Sequence, residues 1–261
     1  MRFLALFITK SSELTVEENI RKKTIVSFLV FFIMTIVVIS GWIYLKRQPL
    51  DHGSIGGVQL PFRKVLDANE RIFDNGFSYN HLAKTYPKSA AAKKVRVNGD
   101  LGLSKDFNAA SWKLQVVKSA GDTLYVTLDD IKKLPKTEII FDFKCIEGWS
   151  QVTHWGGVKF SDFMKAFHLN EQAAMKYIGM STPDEKYYVG IDMPSALHPQ
   201  TLFCYEMNGK PLPLNQGFPL RMIIPVKYGI KSLKRIGTLF FSEERPRDFW
   251  FERGYDYYSG L

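Results

Sequence analysis

Two stretches of the sequence carry side chains that could bind a metal and an anion, and the first centres on Cys145. Apolar and polar residues alternate over 141–145, and a period of two predicts a strand with one apolar face. Cys145 should therefore lie sheltered at the end of this strand, before Gly148 turns the chain. Its thiolate would be a soft ligand that suits a transition metal. The alternative is a small buried hydrophobic residue, the usual role of a lone cysteine.

The second stretch is basic and lies in the last third of the chain. Glycine lets backbone amides approach an anion, and Arg and Lys neutralise it, so a run that combines them could form a phosphate pocket. The alternative is a solvated basic face, the usual fate of a run of charges. The run contains Gly229 and five cations, which are Arg221, Lys227, Lys231, Lys234 and Arg235.

The residues around Cys145 resemble the cysteine motif of the sulfite oxidase family of molybdopterin enzymes. The similarity is nearest to the bacterial branch that contains the periplasmic methionine-sulfoxide reductase catalytic subunit, and it covers roughly residues 63 to 256. It rests on Cys-Ile-Glu-Gly-Trp-Ser from Cys145 and on motifs that follow in the family's order, which are 155–158, 197–202, 205–212, 217–221 and 227–231.

This resemblance implies a molybdenum–molybdopterin (pyranopterin) cofactor, with Cys145 as the catalytic residue and the protein's ligand to molybdenum. Gln216 stands where the close relative has Asn, so the amide is kept with a longer reach. We add His198 as a contact of the pterin or the substrate and Lys231 as a phosphate contact, with His154 as a candidate for the rim of the cavity. The pterin contacts that the resemblance implies are Asn69, Ile72, Phe73, Thr182, Gln216, Arg221, Ser232, Leu233 and Lys234.

The elements that must position these residues are mostly short strands. Strands outnumber helices without regular βαβ alternation, so we expect an α+β fold, a mixed-sheet sulfite oxidase-type domain preceded by one transmembrane helix. Predicted helices cover 63–73, a short stretch between Thr127 and Pro135, and a segment that Ser161 caps and that runs to about His168. We interpret 155–158 as a turn. The predicted strands are 112–117, 123–128, 141–145, 176–181, 186–193, 218–226 and 237–242.

The N-terminal part contains 22 residues without a charge, 24–45. At ~1.5 Å per residue such a helix crosses a hydrocarbon core of ~30 Å. A cleaved signal peptide is the rival interpretation, but its apolar region is usually only ~7–15 residues long. We predict a short head at 1–23, a transmembrane helix at 24–45, a linker at 46–62 and the oxidoreductase domain at 63–261.

The orientation of this span is less clearly encoded. The cluster 21–23 favours a cytoplasmic N-terminus, whereas Lys46 and Arg47 oppose it. The resemblance implies export after folding, which normally uses a twin-arginine signal, and Arg21-Lys22 is a degenerate version of one. We expect a single-pass protein of the cytoplasmic (inner) membrane with a periplasmic catalytic domain.

Composition limits the possible partners. The net charge of +9 suits anionic partners, but no basic motif interleaved with aromatics is present, so nucleic acid is not expected. The two cysteines do not form a disulfide scaffold, although a single bridge between them stays open. Without a Cys-x-x-Cys-His haem motif or room for a dimerisation domain, we expect a monomeric catalytic domain. It would receive electrons from a membrane haem or quinol-linked subunit.

These observations lead to a predicted activity. We expect reduction of S-oxide or N-oxide substrates, methionine sulfoxide among them, by oxygen-atom transfer at a cysteine-ligated molybdenum. One alternative is a sulfite-oxidising dehydrogenase of the same family. Another is a cofactor-free, membrane-anchored binding protein, because a fold does not fix a function.

Overall fold

The computed structural model describes residues 15–51, 55 and 57–261. They divide into two compact units, one that carries the N-terminal helix and one that carries Phe62 to Leu261. The helices are α1 (Val16–Lys46), α2 (Leu60–Asn75), α3 (Leu128–Lys132), α4 (Phe160–Ala166), α5 (Asn170–Ala173) and α6 (Met193–Ala196). Short 3-10 turns cover Lys88–Ala90, Ala109–Ser111, Leu214–Gln216, Gly229–Lys231 and Phe251–Arg253.

Helix α1 is long and apolar enough to cross a membrane by length and composition. It has 31 residues, none of them buried, and begins with a capping box in which Thr15 and Glu18 bond each other's backbone N–H. Because of this cap, the helix begins upstream of the predicted span and includes the end of the predicted head. Residues 1–14 of that head lie outside the described residues.

The domain is built on two sheets of five strands each. One has the order β2-β1-β10-β5-β6, and the other has the order β3-β4-β7-β8 with β9 on β7. Strands β1 and β10 are parallel and the other pairs are antiparallel, so the predicted α+β fold with mixed sheets is confirmed. The strands are β1 (Leu114–Ser119), β2 (Asp122–Val126), β3 (Thr137–Lys144), β4 (Ser150–Lys159), β5 (Tyr177–Ser181), β6 (Tyr188–Asp192), β7 (Leu202–Met207), β8 (Lys210–Pro211), β9 (Arg221–Ile223) and β10 (Thr238–Ser242).

Aromatic side chains pack the main core beside β7. Phe203 meets the rings of Phe160 and Phe163 edge to face, each at 5.0 Å between centroids, and all three side chains are fully buried. Each such pair adds about 0.5–1.5 kcal/mol beyond the burial of its apolar area. This cluster holds α4 against the sheet that carries the candidate site.

Two sequence predictions around β4 need correction, and strand β7 was missed. The segment 155–158 lies inside β4 and is not a turn. A Cβ at Gly157 would lie 2.0 Å from the carbonyl oxygen of Phe203. Gly157 therefore allows the close approach of β7, at a point where the register between the two strands shifts. Helix α4 begins at Phe160 without a side-chain cap, so Ser161 is not its N-cap. Strand β7 was not predicted at all.

The predicted strand 218–226 shortens to β9. Prolines at 219 and 225 flank it, and proline cannot donate to a strand ladder. The short strand still fixes Arg221, whose register partner on β7 is Cys204. Both cysteines are free thiols, which closes the alternative of a bridge between them.

Candidate active site

A cavity of about 280 Å³ opens beside Cys145. Its walls come from the loop 95–101, the end of β3 with its following turn, and one face of β4. The stretch 216–234 and the loop 250–255 complete it. The two stretches that the sequence singled out therefore meet in one place.

Cys145 follows β3 directly and is held by a tight turn. Its backbone N–H donates to the carbonyl of Trp149 at 2.9 Å, and the N–H of Gly148 donates to the carbonyl of Cys145 at 3.0 Å. Gly148 adopts a φ of +87°, a left-handed conformation that glycine reaches without steric cost. The cysteine is 5% exposed, and the Asn98 amide Nδ2 lies 3.6 Å from its Sγ. The thiol thus lies in the cavity wall with a polar donor beside it.

Arg221 is the buried cation of the site. Its Nη1 donates to the Gln216 carbonyl at 3.2 Å and to the Gln216 side-chain oxygen at 3.0 Å, and its Nη2 donates to the Ser232 carbonyl at 3.3 Å. Its guanidinium lies 4.5 Å from the centre of the Trp155 ring. Within the described part of the chain, its buried Nε has no hydrogen-bond acceptor. Burial lowers the pKa of Arg221 to about 10, because desolvation penalises the charged form.

Lys234 adds a second, half-buried cation. Its Nζ donates to the carbonyl oxygens of Asn98 at 2.6 Å and Gly99 at 3.1 Å. Burial and, next, the charge of Arg221 lower its pKa to about 8. Among the residues that the structure describes, Arg221 and Lys234 form no ion pair with a carboxylate. The cavity therefore favours an anionic occupant.

The 3-10 turn Gly229–Lys231 forms one wall of the cavity and packs closely against β3. A Cβ on Gly229 would lie 2.5 Å from Cζ of Phe143, so a larger residue there would have to displace the Phe143 ring. The hydroxyl of Tyr187 donates to the carbonyl of Ile230 at 2.5 Å, and the Ser232 hydroxyl accepts from the backbone N–H of Ile224 at 3.4 Å. These contacts fix the backbone that lines the cavity.

Part of the predicted residue set lies together here. Five predicted residues line the cavity, namely Cys145, Gln216, Arg221, Ser232 and Lys234. Leu233 lies between two of them, but its side chain is fully buried in the main core. Its carbonyl accepts from the N–H of Met222 at 3.0 Å, so any contact that it makes with a ligand would come from its backbone.

The predicted residues of α2 do not line the cavity. Asn69, Ile72 and Phe73 are exposed on this helix, and the Phe73 ring stacks on Tyr258 at 6.4 Å. The structure does not bring them to Cys145. The residue of this helix that reaches the loop 251–255 is Arg63, on the inner face, which donates to two of the loop's carbonyl oxygens.

Three more predicted residues also lie away from the cavity. The hydroxyl of Thr182 donates to Asp184 at 2.6 Å. His198 is buried and packs edge to face on Phe77, and burial lowers its pKa. Lys231 forms a buried ion pair with Asp248 at 2.5 Å. None of the three lines the cavity.

Alternation along β4 explains the place of His154. Thr153 and Trp155 line the cavity, whereas His154 lies between them and its Nε2 is 3.5 Å from Glu138. Neighbouring strand residues point to opposite faces, so His154 does not reach the rim. Glu147 accepts from the indole of Trp149 at 3.1 Å, and this hydrogen bond lowers its pKa, consistent with a structural role.

Sequence reasoning missed several residues of the cavity. Asn98 and Arg96 lie in an irregular loop without periodicity, and Tyr187 precedes β6 with only its aromatic type as a signal. Arg96 lies 4.7 Å from the centre of the Trp149 ring. Only the three-dimensional structure places Asn98 beside the Cys145 thiol.

The residues present fit the molybdopterin group that the resemblance implies. A single thiolate offers one soft ligand to a metal, and the unpartnered Nε of Arg221 with the uncompensated charge of Lys234 suits a phosphate. The aromatic walls, which include Phe143, Trp155 and Trp250, suit a flat ring system.

Comparisons with known proteins bear on the same region. Residues 101–250 match the family model described as the oxidoreductase molybdopterin binding domain. Over 186 residues the chain is 35% identical to a protein of Azospira oryzae named "Putative protein-methionine-sulfoxide reductase subunit YedZ1", with 70% of each chain covered. It is 32% identical to the protein-methionine-sulfoxide reductase catalytic subunit MsrP of Campylobacter jejuni, covering 58% of this chain and 55% of that one.

A solved structure shows a weaker similarity over part of the chain. The sulfane dehydrogenase SoxCD of Paracoccus pantotrophus matches 64% of this chain and 46% of that chain, with a TM-score of 0.48 and 15% identity. The chain spans only about half the length of the Campylobacter subunit. The family model covers more than half of the present chain, including Cys145, Arg221 and Lys234. The chain belongs to the oxidoreductases with a molybdopterin-binding domain, and molybdopterin is its cofactor.

Proposed function

We propose that Cys145 ligates molybdenum in the cavity and that the enzyme reduces S-oxide groups, with methionine sulfoxide as the leading substrate class. The bound cofactor supplies two-electron chemistry coupled to oxygen-atom transfer. The rest of the chemistry falls to the protein, which binds, orients and shields the reacting group.

Each residue of the cavity has a separate task in this proposal. Arg221 and Lys234 hold the anionic end of the cofactor, helped by Gln216 and the Ser232 hydroxyl. Asn98 donates toward the Cys145 sulfur, and a hydrogen bond to sulfur tunes the electron density of a metal–thiolate bond. Together these residues fix the cofactor and adjust its electronics.

One observation carries the proposal: a free, sheltered thiol shares a cavity with Arg221 and Lys234, which have no carboxylate partner among the described residues. Leaving such charges uncompensated is costly in a protein interior. An anionic cofactor that brings a metal to Cys145 would remove this cost.

The direction of the reaction rests on the relatives. The Azospira and Campylobacter proteins are named for reduction of protein methionine sulfoxide, so we propose the same substrate class here. Sulfite oxidation is the second candidate, as the alternative direction for oxygen-atom transfer in this family.

The proposal extends to location and partner. Helix α1 would anchor the chain in the cytoplasmic membrane, with the catalytic domain on the periplasmic side. There a membrane haem or quinol-linked subunit would deliver the electrons. A membrane tether suits such a partner because it raises the effective concentration of the two proteins.

The experiment is a dye-linked assay on protein purified from a host that makes molybdopterin. With a reduced viologen dye, we expect turnover of methionine sulfoxide and of other S- and N-oxides. Sulfite with ferricyanide is the opposing assay. Turnover of sulfite alone would reverse the proposed direction, and turnover of neither substrate class would remove the proposed activity.

A further inference from the structure

A buried ion pair lies behind the wall of the Cys145 cavity, and the chemistry proposed above does not use it. Lys231 Nζ lies 2.5 Å from Asp248 Oδ2, and the two side chains are 1% and 2% exposed. The same ammonium donates to the carbonyl of Gly190 at 3.0 Å. Lys231 is thus neutralised inside the protein and does not line the cavity itself.

Asp248 joins three segments through its two carboxylate oxygens. Its Oδ2 accepts from Lys231 and from the backbone N–H of Gly190 on β6 at 3.2 Å. Its Oδ1 accepts from the backbone N–H groups of Trp250 and Phe251, at 3.1 and 3.0 Å. Two of these segments, the turn that ends at Lys231 and the loop that contains Trp250, also line the cavity.

The turn that carries Lys231 has little freedom to move. Phe143 confines it at Gly229, where even a Cβ would come within 2.5 Å of the ring. Tyr187 holds the carbonyl of Ile230, and Lys231 ties the end of the turn to Asp248. A change at the ion pair would therefore move backbone that faces the cavity.

Stability alone is a weak reason for such a pair. The desolvation of two buried charges offsets most of their attraction, and apolar replacements of similar volume are often neutral or stabilising. Outer-shell partners of metal ligands, by contrast, orient the groups that bind the metal, and their substitution typically costs about 10–100-fold in metal affinity or activity. We expect an effect of the same order from groups that hold the backbone around a cofactor cavity.

We propose that Lys231 and Asp248 are positioning residues that hold the Gly229–Lys231 turn and the Trp250 loop against the bound cofactor. The pair would thereby set how long the cofactor stays in place. This inference rests on the proposed function in one respect, that the cofactor occupies the Cys145 cavity.

The test compares the loss of cofactor from purified holoprotein with thermal stability. The variants are Lys231→Met, Asp248→Asn and the double variant, and released molybdopterin is followed by the fluorescence of its oxidised pterin. We expect release about 10–100-fold faster from both single variants. In the double variant no buried charge is left unpaired, so its Tm should return toward the wild-type value while release stays fast.

A second buried ion pair offers a matched control. Lys227 Nζ lies 2.6 Å from Asp192 Oδ1, with side chains 1% and 14% exposed, and neither residue lines the cavity. Lys227→Met and Asp192→Asn should lower Tm in the same way. They should leave the release of pterin at the wild-type rate.

The outcomes separate positioning from simple stability. Release rates that follow Tm across both ion pairs would overturn the inference, because each pair would then act only on the fold. Unchanged release from the Lys231 and Asp248 variants would overturn it as well, with the proposed function intact. Wild-type protein that holds no pterin would overturn the proposed function and this inference together.

Discussion

The cations of the basic run fall into two groups, those that a carboxylate neutralises and those that it does not. Lys227 and Lys231 each lie against a carboxylate, whereas Arg221 and Lys234 donate to neutral oxygens among the described residues. These side chains are close together in the sequence. The carboxylates that neutralise Lys227 and Lys231, however, come from β6 and from the C-terminal loop. Residue types and spacing therefore pointed to a stretch that does line the cavity beside Cys145, without indicating which lysine faces inward; that the stretch binds an anion stays a prediction.

The depressed pKa of Lys234 predicts how the stability of cofactor-free protein depends on pH. Its pKa is about 8 in the folded protein, against an ordinary value of 10.5. Below pH 8 both states are protonated and the burial penalty is fully present. Between 8 and 10.5 the unfolded state holds the proton that the folded state has lost, so stability rises with pH.

The measurement is urea unfolding of cofactor-free protein at several pH values, compared with Lys234→Met. The free energy of unfolding of the wild type, minus that of the variant, should rise as the pH increases from about 8 to 10.5. Lys227, whose pKa is also lowered to about 8, remains in both proteins and cancels in the difference. Parallel curves would show that Lys234 titrates normally.

At the level of elements, local sequence patterns predicted part of the structure. The strand before Cys145, the short helix capped by Thr127 and the pair β5 and β6 follow from local pattern and are observed. The glycines of β4 were misinterpreted because their purpose is the approach of β7, a contact between distant segments. The loop that carries Asn98 has no periodicity, so nothing local indicated its place beside Cys145.

The close approach of the Gly229–Lys231 turn to β3 gives a prediction at this scale. Gly229→Ala would force a methyl group to within 2.5 Å of the Phe143 ring, and overpacking of this kind typically costs about 1–3 kcal/mol. Urea denaturation of the variant measures the loss. Adding Phe143→Leu should recover part of it, and an Ala variant as stable as the wild type would contradict the packing described here.

At the scale of the whole molecule, an apolar helix and a folded domain form two separate compact units. The helix has the length and composition to span a membrane, and a signal sequence near the N-terminus can meet the same length and composition criteria. The limits of the head, span, linker and domain stay predictions, although the helix itself runs past both limits of the predicted span.

Fusions to the C-terminus distinguish the possible topologies. With a periplasmic domain, alkaline phosphatase fused after Leu261 should be active, because it folds only after export, and it should sediment with the membrane fraction. Activity in the soluble periplasmic fraction would indicate cleavage after the apolar segment. An inactive fusion, together with an active β-galactosidase fusion, would reverse the orientation.

The central claim is that the Cys145 sulfur binds molybdenum. X-ray absorption at the molybdenum K edge counts the sulfur atoms around the metal, in wild-type protein and in Cys145→Ser made in the same host. Since a hydroxyl is a poor ligand for a soft metal site, we expect the variant to show one sulfur neighbour fewer, with turnover lost. An unchanged sulfur count in Cys145→Ser, or wild-type protein without molybdenum, would contradict ligation by Cys145.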